Sequence, residues 1–165
     1  MAPHSSEPLC YTTRSPTETR RLARRLARGL QPGDLLCLRG ELGAGKTTFV
    51  QGLVKGLGAS GPATSPSFVL VHQHRGHLPL YHLDLYRVSG ADLTEIGVDD
   101  LIGADAVVVV EWAERLPPRL CADALQIEFE FVSGNNKARK IVIQGHGARG
   151  RQVVEDLAAY ASSRA

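Results

Sequence analysis

Cysteine, aromatic residues and long apolar runs are all scarce in this sequence of 165 residues. The three cysteines are Cys10, Cys37 and Cys121, and no two of them form a CxxC pair, so neither a disulfide framework nor a zinc site is indicated. No apolar run approaches the roughly 18 residues that a membrane span needs. Residues 1–6 are polar and contain no apolar segment typical of a secretory signal. We therefore expect a cytoplasmic protein with no membrane partner.

The sequence also carries little net charge. Lys and Arg number 19 against 17 Asp and Glu, a balance of +2, which argues against a protein that coats nucleic acid or another polyanion. The apolar share of 43% and the charged share of 22% are close to the globular average, which argues against wholesale disorder. The length predicts a single domain over residues 1–165, with residues 1–10 flexible.

An arginine-rich helix is the first element that the pattern predicts. Ser15, Pro16 and Glu18 match the N-cap, the first helical position and the third, and they predict a capping box in which Ser15 and Glu18 each bind the other's backbone. Apolar residues recur at helical spacing up to Leu30 and predict a buried stripe. The polar face is either simply solvated or contacts RNA phosphate. The arginines of this stretch of the chain are Arg14, Arg20, Arg21, Arg24, Arg25 and Arg28.

Strand and helix patterns alternate through the rest of the chain, which indicates an α/β fold. The predicted strands are residues 35–38, 68–74, 80–86, 106–110, 125–132 and 140–144, and the predicted helices are residues 47–57 and 152–160. Turn residues separate strand 68–74 from strand 80–86, and strand 125–132 from strand 140–144, so we expect two antiparallel hairpins.

Residues 40–47 carry the strongest signal for chemistry, because they match the P-loop pattern G-x-x-x-x-G-K-[ST] in full. Glycines let backbone amides turn toward phosphate oxygens, and the helix that follows directs its N-terminus at the same anion. Lys46 would bridge the terminal phosphates and the Thr47 hydroxyl would bind Mg²⁺. The alternative is a chance glycine loop, but an apolar strand before the motif and a helix after it favour nucleotide binding. The predicted nucleotide contacts in the loop are Leu42, Gly43, Ala44, Gly45, Lys46, Thr47 and Thr48.

Two acids elsewhere are candidates for the metal and catalytic positions. Glu111 follows four valines, where a P-loop protein places a second Mg²⁺ ligand, although Asp is commoner there; an ordinary strand-end carboxylate is the alternative. Asp84 shares a strand face with His82 and can orient an attacking or metal-bound water, or else be a surface charge on an edge strand. Trp112 is either a site residue or a buried structural one.

Histidines are concentrated in one part of the chain and raise the question of a metal site. They are His72, His74, His77 and His82. With no cysteine or closely spaced carboxylate among them, the pattern does not favour metal binding.

Several motifs occur together in one order. They are G-E-L-G-A-G-K-T-T at residues 40–48, S-P-S-F at 65–68, L-D-L-Y-R at 83–87, E-I-G at 95–97 and E-W-A-E at 111–114. Over nearly the whole chain, this combination resembles the TsaE family, the small P-loop ATPase of bacterial tRNA threonylcarbamoyladenosine biosynthesis. A P-loop alone would not separate this family from others, whereas D-L-Y-R followed by E-W-x-E is specific.

The resemblance implies a fold and an activity. The fold is an α/β three-layer sandwich of the P-loop NTPase type, with a mixed, largely parallel central sheet and antiparallel hairpins. ATP and Mg²⁺ are the implied cofactors, with slow hydrolysis. The implied partner is a threonylcarbamoyltransferase complex of TsaB- and TsaD-type proteins, which modifies the adenosine beside the anticodon and which ATP hydrolysis would reset between turnovers. Contact with tRNA would then be indirect.

The resemblance also implies roles for individual residues. Lys46 would bind phosphate, Thr47 would bind Mg²⁺, and Glu111 would take the second metal role. Asp84 would be the catalytic or water-positioning acid, and Trp112 would be an aromatic residue of the site. Arg139 would be an arginine on the nucleotide side, and residues 65–68 would form a switch-like loop. Glu41 stands where the family usually has Asp, and Ser67 where it usually has Thr. Both replacements are conservative, so we expect activity to survive.

Two other functions fit a P-loop domain of this size. A small-molecule kinase would need an acceptor pocket and usually an arginine-bearing lid, whereas the segment after Glu111 predicts a hairpin and a helix. A nucleotide-gated binding module would bind ATP without significant hydrolysis. Because little chain remains beyond the P-loop core, we expect the substrate besides ATP to be another protein complex.

Overall fold

The computed structural model describes residues 7–59, 71–88, 90–103 and 105–162. The strands are β1 (Leu9–Thr13), β2 (Leu35–Gly40), β3 (Val71–His74), β4 (Leu80–Asp84), β5 (Val107–Glu111), β6 (Leu125–Val132) and β7 (Asn135–Gly145). The helices are α1 (Pro16–Ala27), α2 (Lys46–Gly56), α3 (Gly90–Ile96), α4 (Val98–Leu101) and α5 (Gly147–Ser162), with 3-10 turns at Ala113–Arg115 and Pro118–Cys121. The predicted switch-like loop at residues 65–68, which includes Ser67, lies outside the described residues.

One mixed sheet of seven strands, in the order β1-β7-β6-β2-β5-β4-β3, organises the chain. The four central strands β6, β2, β5 and β4 run parallel, while β3 on one side and β7 and β1 on the other pair antiparallel. The predicted α/β class and both predicted hairpins are thereby confirmed, and parallel pairing is confined to the centre. Because β2, β5 and β4 are neighbours, the residues at their carboxyl ends meet at one edge of the sheet.

The valine run of β5 is buried on both faces. Val107 and Val109 pack with α1, α2 and α5, whereas Val108 and Val110 pack with the α3–α4 side. The alternation follows because successive side chains of a strand point to opposite faces of the sheet. The sheet is therefore the middle of three layers, with helices on both faces. Among the described residues, no helix is long and apolar enough to cross a membrane.

The N-terminus of α1 is capped, but in a different way from the predicted capping box. Ser15 Oγ accepts from the Glu18 N–H at 3.2 Å, as expected. The Glu18 carboxylate, however, accepts from the Arg14 N–H at 2.7 Å instead of from Ser15. Arg14 comes just after the last ladder pair of β1, so its N–H needs a partner outside the sheet.

Strand β1 is absent from the sequence-based prediction. Leu9 and Cys10 pair with Ile143 and Val142 of β7, and Leu9 packs against the core. These two residues are therefore part of the sheet, although the sequence predicts flexibility over residues 1–10. The short, mixed pattern of this strand gives little local signal, and its pairing partner lies more than a hundred residues away.

Helices α1 and α2 approach closely because glycines of α2 face α1. A Cβ at Gly52 would lie 2.4 Å from the Arg20 carbonyl oxygen and 2.7 Å from Ala23 Cβ. A Cβ at Gly56 would lie 2.5 Å from Ala27 Cβ. Only glycine permits this spacing, and the contact fixes α2, whose first turn belongs to the P-loop, against α1.

We expect Gly52→Ala to destabilise the protein even though Ala is the better helix former. Helix propensity favours Ala by about 1 kcal/mol, whereas forcing a methyl group against a backbone oxygen costs about 3 kcal/mol. The net loss of about 2 kcal/mol would lower the midpoint of thermal unfolding by about 4–8 °C. Lys55→Ala, at an exposed position of the same helix, is the matched control and should leave the midpoint nearly unchanged. A Gly52→Ala protein as stable as the wild type would contradict the close packing.

Candidate functional site

The loop between β2 and α2 is shaped by three glycines in backbone conformations that other residues rarely adopt. Gly40, Gly43 and Gly45 have φ of +152°, +80° and +105°. At Gly40 a Cβ would also lie 2.8 Å from the Phe129 carbonyl oxygen. Gly45 is the N-cap of α2, and no side chain caps this helix end. The first amides of α2 have no intrahelical partner, so the loop presents an anion site of the kind that binds phosphate.

Lys46 holds its ammonium group at the mouth of this loop. The side chain is only 4% exposed, and Nζ donates to the carbonyl oxygens of Gly40 and Glu41, the latter at 3.0 Å. Nζ also lies 4.1 Å from the centroid of the Trp112 ring. Burial lowers the pKa of Lys46, and the nearby carboxylates, Glu111 first among them, oppose that shift. The cation is thus held by two carbonyl oxygens and a ring face, and the carboxylates near it favour its charged form.

Thr47 and Glu111 meet across the gap between α2 and β5. Thr47 Oγ1 donates to the carboxylate of Glu111, at 2.9 Å from Oε1 and 3.2 Å from Oε2, and Glu111 is only 2% exposed. In an octahedral Mg²⁺ shell with bonds of 2.0–2.1 Å, neighbouring oxygens lie about 2.9 Å apart. The hydroxyl and the carboxylate therefore fit two adjacent Mg²⁺ ligands.

Asp84 ends β4 and is held beside Glu111 by the sheet. The two residues are ladder partners, and Asp84 is 7% exposed. Its Oδ1 accepts from the Tyr86 N–H at 3.0 Å. The alternative of a surface charge on an edge strand is wrong, because β3 covers β4 and forms the edge.

Trp112 follows Glu111 in a strained conformation. Its φ of 59° and ψ of 43° lie in the left-handed region, and in the described part of the chain no other non-glycine residue has positive φ. Such strain costs energy and is concentrated at functional sites. The residue is half-buried, Lys46 Nζ lies over its ring, and the centroid of the Tyr86 ring is 4.9 Å from the centroid of the Trp112 ring.

A cleft of about 230 Å³ collects nearly all of the residues that the sequence predicts for the site. Its walls are Leu42, Gly43, Ala44, Gly45, Lys46, Thr47, Thr48, Asp84, Glu111 and Trp112. Leu42 forms the rim and is 69% exposed. The glycine loop, a cation and two acids thus open on the same space.

Arg139 is the predicted site residue that does not line the cleft. From β7 its Nε donates to the Ala44 carbonyl oxygen and its Nη2 to that of Gly43, both at 3.1 Å. The guanidinium group also lies 4.6 Å from the centroid of the Phe131 ring. Arg139 therefore braces the outer side of the loop.

His82 is a site residue whose contact the sequence does not predict. Its Nε2 lies 2.5 Å from Glu111 Oε2, and its side chain is fully buried. The one signal in the sequence is its position two residues before Asp84, which places both on the same strand face. Within the described residues no group of three or more His, Cys, Asp and Glu side chains is arranged to hold a metal ion. A Mg²⁺ bound through one carboxylate and substrate phosphates does not need such a group.

Comparison with known proteins gives a consistent result. Residues 13–141 match the family described as "Threonylcarbamoyl adenosine biosynthesis protein TsaE". The tRNA threonylcarbamoyladenosine biosynthesis protein TsaE of Bacillus subtilis is 36% identical over 150 residues, covering 90% of this chain and 93% of the relative. The protein of the same name from Streptomyces coelicolor is 42% identical over 137 residues, covering 79% and 92%.

A solved structure has a similar fold. The crystal structure of YdiB from Bacillus subtilis has a TM-score of 0.82 and 33% sequence identity, and the match covers 95% of this chain and 98% of YdiB. The family match, the two relatives and the solved structure each cover most of the chain. The chain belongs to the TsaE family.

Proposed function

We propose that this protein binds and slowly hydrolyses ATP as a subunit required for tRNA threonylcarbamoyladenosine biosynthesis. The names of its relatives support the pathway. The observation that carries the ATPase proposal is the contact between Thr47 and Glu111, at Mg²⁺ spacing beside an amide-lined phosphate loop. By the family resemblance, the protein acts on the threonylcarbamoyltransferase complex of TsaB- and TsaD-type proteins and does not transfer the group itself.

Each part of the cleft has a role in this proposal. The loop amides and Lys46 bind the phosphates, while Leu42 and Trp112 flank the nucleotide at the rim. Thr47 and Glu111 would hold Mg²⁺, which when bound neutralises charge on the phosphate oxygens. Asp84 accepts a hydrogen bond from the attacking water and orients it. Asp84 can do so because the sheet fixes its carboxylate at the edge of the same cleft.

The proposal is tested by following the fate of the ATP γ-phosphate. The protein is incubated with ATP and Mg²⁺, alone and with the partner complex, and inorganic phosphate is measured beside candidate small-molecule acceptors. We expect slow release of phosphate to water that the partner complex accelerates. Phosphate found on an acceptor would favour a kinase, and tight ATP binding with no release under either condition would favour a binding module; each result would contradict the proposal.

Arg139→Ala should weaken nucleotide binding without changing the rate at which bound ATP is hydrolysed. The variant loses two hydrogen bonds to the loop, each worth about 1 kcal/mol, so the glycine turn is less well ordered before the ligand arrives. Part of this loss is recovered by rearrangement, and we expect affinity for ATP to fall about 5–10-fold, or 1.0–1.4 kcal/mol. Titration with a fluorescent ATP analogue measures the change.

Lys137→Ala is the matched control, since Lys137 is exposed on the same strand and carries the same charge. Its affinity should equal that of the wild type. Equal losses in both variants would mean that Arg139 acts through the overall charge of β7, and an unchanged Arg139→Ala protein would refute the bracing role.

A further inference from the structure

His82 is an unusual residue for the interior of a sheet. It lies on β4, is fully buried, and makes its contact through Nε2, 2.5 Å from Glu111 Oε2. The other ring nitrogen, Nδ1, is buried with no protein hydrogen-bond partner in the part of the chain that the structure describes. A buried polar atom without a partner costs about 1–3 kcal/mol. Packing alone would be served better by an apolar side chain, so the contact with Glu111 needs another explanation.

The Glu111 carboxylate is contacted by two donors, of which His82 reaches only Oε2, whereas Thr47 reaches both oxygens and lies closer to Oε1. A carboxylate only accepts, so the hydrogen in the contact is on His82 Nε2. That donor engages Oε2 from the interior, while Thr47 Oγ1 is closer to Oε1, at 2.9 Å, than to Oε2, at 3.2 Å. The orientation of the carboxylate is thus set by His82 from the interior of the sheet and by Thr47 from α2.

The length of the glutamate side chain makes such a restraint necessary. Asp is the commoner acid at this position of a P-loop protein, and Glu has one more methylene group and one more torsion to fix. Immobilising a glutamate side chain costs up to about 2 kcal/mol of rotamer freedom. Strands β4 and β5 are parallel neighbours, with His82 opposite Val109 and Asp84 opposite Glu111. This register brings the imidazole to the inner side of the carboxylate.

We infer that His82 is a positioning residue for the Mg²⁺ site, holding Glu111 Oε2 so that Oε1 and Thr47 Oγ1 are set as neighbouring ligands. This inference rests on the proposed function, because it assigns His82 to the metal step of that function. Partners that orient a metal ligand typically contribute about 10–100-fold to metal affinity. His82 should therefore affect the affinity for Mg²⁺ and not the affinity for nucleotide without metal.

Three substitutions at His82 separate the hydrogen bond from the volume. In His82→Gln the amide nitrogen reaches about the position of Nε2 and can still donate to Glu111. In His82→Asn the amide nitrogen lies near the position of Nδ1 and is too short to reach, although the residue is still polar. His82→Leu removes the donor and keeps an apolar side chain of sufficient size.

The readout is the Mg²⁺ concentration needed for half-maximal binding of a fluorescent ATP analogue, with binding of the same analogue in EDTA as the reference. We expect this concentration to rise about 10–100-fold in His82→Asn and His82→Leu. In His82→Gln it should stay within about threefold of the wild type. The affinity for the analogue in EDTA should be equal in the wild type and all three variants. Wild-type Mg²⁺ dependence in the Asn and Leu variants, or equal loss in all three, would overturn the inference. If binding of the analogue to the wild type did not depend on Mg²⁺, that result would instead refute the proposed function itself.

A measurement on the wild-type protein tests the same point without relying on any variant. Nitrogen-15 and proton NMR of the histidine rings reports which nitrogen of His82 carries hydrogen, with the His82→Gln spectrum used for assignment or, failing that, the nuclear Overhauser contacts to Val109. We expect a hydrogen on Nε2 that exchanges slowly with water. A ring with hydrogen on Nδ1 alone cannot donate to Glu111 and would overturn the inference.

Discussion

Lys46→Ala is expected to lower the turnover of ATP by about 1,000-fold and to weaken ATP binding severely. Hydrogen bonds between a charged group and phosphate are worth about 1.5–3 kcal/mol each, and the ammonium group can make two of them at the mouth of the loop. Its loss also leaves Glu111 and Asp84 facing the nucleotide with no compensating cation from the loop. Two such bonds account for the expected size of the effect.

The measurement for Lys46→Ala is a titration with a fluorescent ATP analogue, followed by release of inorganic phosphate in the presence of the partner complex. Lys55→Ala is the control. Lys55 is exposed on the same helix, and its substitution removes the same charge far from the loop. Its binding and turnover should match those of the wild type. Unaltered affinity and turnover in Lys46→Ala would show that the loop does not bind ATP in the proposed way.

Asp84→Asn is expected to lower hydrolysis by about 100-fold or more while ATP binding changes by less than about threefold. The amide retains an oxygen that can accept from the Tyr86 N–H, so the local turn should persist. What the variant loses is the negative charge that, in the proposed function, orients and polarises the attacking water. Phosphate release measured with the partner complex, together with an ATP titration, separates the two effects.

The control for Asp84→Asn is Asp99→Asn, at an exposed aspartate of α4 that pairs with Arg119 on the surface. It makes the same chemical change away from the cleft, and hydrolysis should be unaffected. If Asp84→Asn hydrolysed ATP like the wild type, Asp84 could not be the water-positioning acid, whatever its place in the cleft.

The parts of the site that the sequence predicts are those with a local cause. Gly40, Gly43 and Gly45 have positive φ in the turn between β2 and α2, which favours glycine. The spacing of the motif identifies this turn and specifies Gly40 and Gly45. Glu111 can be predicted because an apolar run ends at it, and parallel strands bring their carboxyl ends to one edge. Each of these signals lies within ten residues of the feature it predicts.

The parts that the sequence does not predict depend on pairing between distant segments. The contact of His82 with Glu111 needs the register of β4 against β5, and no residue pattern states that register. Arg139 reaches the loop because β6 places β7 beside it, so its hydrogen bonds with the loop carbonyl oxygens cannot be predicted from the residues around Arg139. The closeness of Gly52 to α1 is likewise a product of helix packing and not of helix sequence.

The ladder that joins Leu38, Glu111 and Asp84 across β2, β5 and β4 has a consequence for insertions and deletions. Successive residues of a strand point to opposite faces of the sheet, so adding or deleting one residue within β4 or β5 turns every side chain beyond that point to the other face. Such a change would take Asp84 or Glu111 out of the cleft at once, whereas exchanging one buried apolar residue for another of similar volume leaves both carboxylates in place. The lengths of these two short strands are thus more tightly constrained than their apolar composition.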